Sequence, residues 1–139
     1  MNRAVAPPSG AAAPDAATLR GRRIALMPLA EAVADRYFGE FPDDLERYGD
    51  AARAWEVHDT AHCLQWAVLD VERLADLQRE VAWLTRVLGA RGFPLEHLAR
   101  NLELAADVVA ERLAAPGAEV ADRLRTAAAA VRVSSGPPA

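Results

Sequence analysis

The chain contains no lysine: every one of its 16 lysine-or-arginine positions is arginine. That absence removes Schiff-base chemistry and the lysine of a P-loop. Cysteine is nearly absent as well. The single thiol, Cys63, excludes an internal disulfide and fits a reducing compartment. Aromatic residues are only 6% of the chain, and much of its 52% hydrophobic content is alanine. Such a composition favours helices that pack closely over a core of bulky rings. No apolar run approaches the roughly 18 residues needed to span a bilayer. Val, Ile and Phe are not gathered into alternating runs, so strands have little support. Basic excess is also missing. A formal charge of −4 leaves nothing to neutralise phosphates and argues against a nucleic-acid partner. The segment "RGRRIALMPLAEAVA" has the charged start of an export signal, but Pro28 and Glu31 cut its apolar part, so a cytoplasmic location is expected.

What is present is helical spacing. At 139 residues the chain is the length of one domain. Residues 1–15 and 134–139, rich in Ala, Pro, Gly and Ser, read as flexible tails around a domain at 16–133. A first helical segment is expected over 16–40, kinked or broken at Pro28, with Leu26, Leu29, Val33 and Tyr37 on one face. The turn-rich "PDDLERYGD" follows, with Asp43 suited to cap one helical turn. A long helix over 50–72 carries a seam of Ala54, Val57, Ala61, Leu64, Val68 and Val71. The same period returns over 74–89, again after the break "GARGFP", and again after "APGAE". The fold expected is all-α, an antiparallel four- to five-helix bundle.

The chemistry crowds onto the helix at 50–72. Beside its seam, Trp55, His58, His62 and Trp66 form a second stripe, with Asp59 and Cys63 as an adjacent pair. Such a stripe fills the bundle's own core, meets a second subunit, or holds a ligand. Two histidines four apart chelate metal in other helices, which makes His58 and His62 weak metal candidates. "HDTAH" has the outline of the zincin HExxH with Asp59 in the glutamate place. No well-spaced third ligand accompanies it; His97, Asp59 and Cys63 are the candidates. A phosphohydrolase of the HD type needs a further histidine upstream, and none precedes His58. A phosphotransfer histidine needs a basic neighbour, whereas Asp59 follows His58. Elsewhere, Trp83 reads as core filler ahead of a ligand contact, His97 as a solvated or capping-region histidine, Asn101 as an exposed mid-helix residue ahead of a buried polar one that sets register, and Asp43-Asp44 as a pair suited to a helix dipole.

Over about Leu29 to Leu113 the chain resembles helical modules of bacterial sensor and regulator proteins that often precede a cobalamin-binding domain. The residues that carry the resemblance are Arg47-Tyr48-Gly49, Asp59-Thr60 with His62, Trp83-Leu84, Ala90-Arg91-Gly92 with Pro94, and Asn101-Leu102-Glu103. Where such modules commonly have a second histidine, this chain has Cys63, and no Asp-x-His-x-x-Gly motif occurs in it. The resemblance implies a helical bundle that serves a sensory domain or a regulatory partner, with aromatic and histidine side chains able to cap a bound cobalamin.

Together these features predict a non-enzymatic regulatory, sensory or protein-interaction module, homodimeric or bound to a partner protein. Its ligand or interaction surface would comprise Trp55, His58, Asp59, His62, Cys63 and Trp66. A second expectation is a tetrapyrrole (haem or cobalamin) or metal sensor that uses His58 or His62. A third is a small enzyme with Asp59 and His62 as acid and base in a bundle cavity.

Overall fold

A computed structural model describes residues 12–135. Those residues are mostly helical, with one short hairpin. The hairpin is β1 (Ala16–Leu19) and β2 (Arg22–Ala25), paired antiparallel with Leu19 opposite Arg22. Then come α1 (Met27–Glu40), α2 (Pro42–Tyr48), a 3₁₀ turn at Gly49–Ala51, and α3 (Ala52–Val71). The chain closes with α4 (Leu77–Ala90), α5 (Leu95–Arg112) and α6 (Ala115–Ser135).

The hairpin corrects the expected helix from residue 16. Arg20 and Gly21 both have positive φ, 51° and 81°. A two-residue loop with both centres at positive φ is the type I′ geometry that matches strand twist. Leu19 and Ile24 are buried in the core, and Leu26 N–H donates to Asp15 O at 2.8 Å. Pro28 breaks no helix: it lies in the first turn of α1, where its missing N–H costs nothing. Ser134 and Ser135, expected in a tail, continue α6; the remainder of the two expected tails, 1–11 and 136–139, lies outside the described residues.

Each later boundary has a local cause. Phe41, restricted because Pro42 follows it, ends α1 with φ −124° and ψ 63°. Gly49, at φ 73°, stops α2. The Asp76 carboxylate caps α4 by accepting from Arg79 N–H at 3.2 Å. At the end of α4, Gly92 adopts φ 78°, Phe93 N–H donates to Leu88 O, and Gly92 N–H donates to Gly89 O. This is a Schellman turn, which sets Phe93 against Leu88.

Helix α5 is enclosed by α1, α3, α4 and α6. Leu98, Ala99, Leu102, Leu104, Ala105, Ala106, Val108 and Val109 are all buried along it. Among the described residues its pairing with α6 is the most extensive, formed by alanines and by Val120, Leu124 and Val131. Outside that seam, Arg100 bridges to Glu40 of α1 with two bonds of 2.8 Å, and Arg132 of α6 reaches Glu103. Exposed pairs of this kind are worth about 0–1 kcal/mol each, so apolar burial dominates. Among the described residues no helix is long and apolar enough to cross a membrane.

The α5–α6 junction depends on Gly117. A Cβ there would stand 2.6 Å from Leu113 Cβ and 3.3 Å from Val109 O. Gly117→Ala is expected to destabilise the protein by about 1–3 kcal/mol. Gly89→Ala, whose Cβ would meet only Leu95 at 3.8 Å, is expected to stabilise by about 0.5–1 kcal/mol. Urea unfolding of the two variants checks the opposite signs.

Candidate functional site

A partly open pocket lies among α1, α2, α3, α4 and α5. The elements above explain its walls. Ala52, Trp55, Glu56, Asp59 and Cys63 recur every three or four residues and place one face of α3 along it. The Schellman turn delivers Leu88, Arg91 and Phe93 to the opposite side. Tyr37 and Phe38 arrive from α1, Asp44 and Tyr48 from α2, and His97, Leu98 and Asn101 from α5.

The walls are mainly aromatic and aliphatic, yet three carboxylates face inward. Asp44 is buried and doubly held. The Tyr37 hydroxyl donates to its Oδ2 at 2.5 Å, and His97 Nδ1 pairs with the same oxygen at 3.0 Å. His97 is fixed further by stacking on Phe41, with centroids 3.9 Å apart. Asp59 pairs with His58 Nδ1 at 3.0 Å. Glu56 differs from both. Its Oε2 accepts from the Thr60 hydroxyl at 2.9 Å, and Thr60 Oγ1 in turn accepts from Asn101 Nδ2 at 3.0 Å. Thr60 is fully buried and Asn101 is 5% exposed. The chain of bonds thus crosses from α5 to α3 and leaves Asn101 Oδ1 buried with no hydrogen-bond partner.

Burial raises the Glu56 carboxyl well above the ordinary range. The Thr60 bond works against that rise, and the nearby Asp59 and Asp44 add to it. Burial first, then the bond to Asp44, raises the Tyr37 phenol. Burial likewise raises the Cys63 thiol, with Asp59 and Glu56 adding to it, and this suppresses the thiolate that redox or nucleophilic chemistry needs.

The expected surface divides in two. Trp55, Asp59 and Cys63 line the pocket. His58, His62 and Trp66 do not; they form a ladder of rings with centroids 4.6 Å and 5.8 Å apart, and Trp66 packs on the hydrophobic core. His62 is buried at 9% exposure. An acid–base pair of Asp59 and His62 therefore lacks its second member at the pocket, where Asp59 is engaged with His58. Among the described residues no group of three or more His, Cys, Asp or Glu is arranged to hold a metal ion.

The expected seam needs the same adjustment. Ala54 is exposed and Val57 half-buried, while Ala61, Leu64 and Val68 are buried. The first turn of α3 buries Ala52 instead.

Four pocket residues escaped the sequence. Glu56 carried no signal beyond its four-residue spacing from Thr60. Asn101, expected to be exposed, is buried; His97, expected at a solvated helix start, is half-buried; and Asp44 serves Tyr37 and His97 as well as the first turn of α2. No family model, curated protein or solved structure matches the chain.

A carboxyl whose folded-state pKa is raised stabilises the fold below its unfolded value, about 4.3, and that stability is lost as pH rises through the folded value. Glu56→Gln is a fixed neutral mimic. It is expected to match the parent near pH 4 and to exceed it in stability at pH 8. The gap should be about 1.4 kcal/mol for each pH unit by which burial raises the carboxyl. Urea unfolding at the two pH values measures it; an equal difference at both would show that the carboxyl is not held neutral.

Proposed function

We propose that this chain is a non-enzymatic regulatory or sensory helical module of antiparallel bundle topology that takes a small, largely apolar molecule in the pocket beside α3. One observation carries this: residues far apart in sequence that bear the resemblance to sensor modules converge on that pocket. Tyr48, Asp59, Arg91 and Asn101 line it, and Thr60 links Asn101 to Glu56 behind its wall. A concave, mainly apolar site with a few convergent polar groups is the usual form of a small-molecule site.

A regulatory module must pass occupancy on. The pocket joins the turn after α4 to α1, α2, α3 and α5, so a ligand that fills it bears on the relative placement of those elements. The response would be read by a partner protein or by a second copy of the chain. Leu74, at 74% exposure, offers an apolar contact at the α3–α4 connection.

Titration of the labelled protein with small aromatic fragments, followed by amide chemical shifts, tests the binding site. Shifts are expected to concentrate at residues 52–63 and 84–101. Ala52→Phe, which fills the pocket, should weaken binding at least about tenfold while helical circular dichroism is kept. Shifts confined to the His58–His62–Trp66 side, or equal affinity in the filled variant, would refute the proposed pocket.

A further inference from the structure

We infer that the ligand is an organic cation, a protonated amine on an aromatic or aliphatic body, seated with its charge between Glu56 and Asn101 Oδ1. This rests on the pocket being a ligand site and goes beyond it by assigning the charge of the occupant.

The inference follows from which polar groups already have partners. Of the three pocket carboxylates, Asp44 has His97 and the Tyr37 hydroxyl, and Asp59 has His58. Glu56 accepts from the hydroxyl of Thr60. The nearest arginine on its own helix, Arg53, is engaged with Asp35 at 2.9 Å on the outer surface. The polar chain runs one way, from Asn101 Nδ2 to Thr60 Oγ1 and from the Thr60 hydroxyl to Glu56 Oε2. Its two ends are the Glu56 carboxyl, which is an acceptor when ionised, and the Asn101 amide, whose oxygen has no partner. A buried acceptor without a donor is destabilising, and a ligand N–H would satisfy it. A cation also ionises Glu56 by supplying the charge that burial withholds.

The walls suit the same occupant. Tyr37, Tyr48, Trp55 and Phe93 supply aromatic surface around the acceptors, and aromatic faces attract cations most strongly where water is excluded. The one arginine lining the pocket, Arg91, is exposed, following the last turn of α4. An anion drawn to it would remain away from the buried acceptors and would face three carboxylates.

Isothermal titration of the full chain with 2-phenylethylamine, its neutral isostere 2-phenylethanol and 3-phenylpropanoate separates the cases. The amine is expected to bind at least about tenfold more tightly than the alcohol, and the carboxylate most weakly. Glu56→Gln, nearly isosteric and checked for folding by its melting transition, should erase the preference for amine while leaving alcohol affinity within about twofold. Asn101→Leu should weaken the amine more than the alcohol. If the alcohol or the carboxylate binds as tightly as the amine, the charge assignment is overturned and the pocket stands as a ligand site. A preference for amine that survives Glu56→Gln overturns the assignment of the acceptor. If none of the three binds at millimolar concentration, both the assignment and the pocket itself fall.

Discussion

The buried face of α5 gives a polar side chain little access to water, and that face carries one, Asn101. The surrounding fold accommodates it in a specific way. Alanines at 99, 105 and 106 let neighbouring helices approach α5 closely, and leucines at 98, 102 and 104 fill the remaining space. Within that apolar frame the Asn101 amide must find its partners on α3. Thr60 accepts from Nδ2, and Oδ1 has no partner. The position of Thr60, and through it the Glu56 carboxyl, therefore depends on how α5 and α3 pack. Pocket and core are two sides of one contact.

The helices were largely legible because their spacing is a local property. Val81, Leu84 and Leu88, or Leu98, Leu102, Ala105 and Val109, bury themselves wherever a helical stripe meets a core. The breaks were legible for the same reason, since Gly92 and Pro94 act on the backbone directly. The hairpin was not. Its strands are four residues each, too short to show alternation, and its signal lies in the positive φ of Arg20, which no residue type announces. A run with helical spacing at Leu26, Leu29 and Val33 then extended the apparent helix backwards across it.

The site was legible only on one helix. Crowded chemistry on α3 drew attention to Trp55, Asp59 and Cys63, which do line the pocket, and equally to His58, His62 and Trp66, which do not. Period alone places these six on adjacent stripes and has no means to say which stripe faces a cavity. Asp44, His97 and Asn101 come from two other elements, 53 residues separating His97 from Asp44 and 41 separating Asn101 from Thr60. Each has an ordinary local explanation: a dipole residue, a first-turn histidine, a mid-helix amide. Only the packing of α2, α3 and α5 turns those three into members of a site.

That packing carries an energetic cost, and the cost bears on function. An apolar residue at 101 would remove an unpaired acceptor, and a neutral one at 56 would remove a carboxyl that burial makes expensive to ionise. Neither group is needed to complete the core, because Leu64, Leu98 and Leu102 already bury the adjoining α3 and α5 surfaces. Asp44 presents the opposite case: Tyr37 and His97 satisfy it, so a structural role accounts for it fully. Asn101 is buried with its Oδ1 unpartnered, Glu56 is half-buried, and both line the same pocket. Structural economy explains neither of them, whereas a donor-bearing occupant explains both at once. The atom of this pair that is left without a partner, Asn101 Oδ1, is an acceptor, and that is what a donor on the proposed occupant would answer.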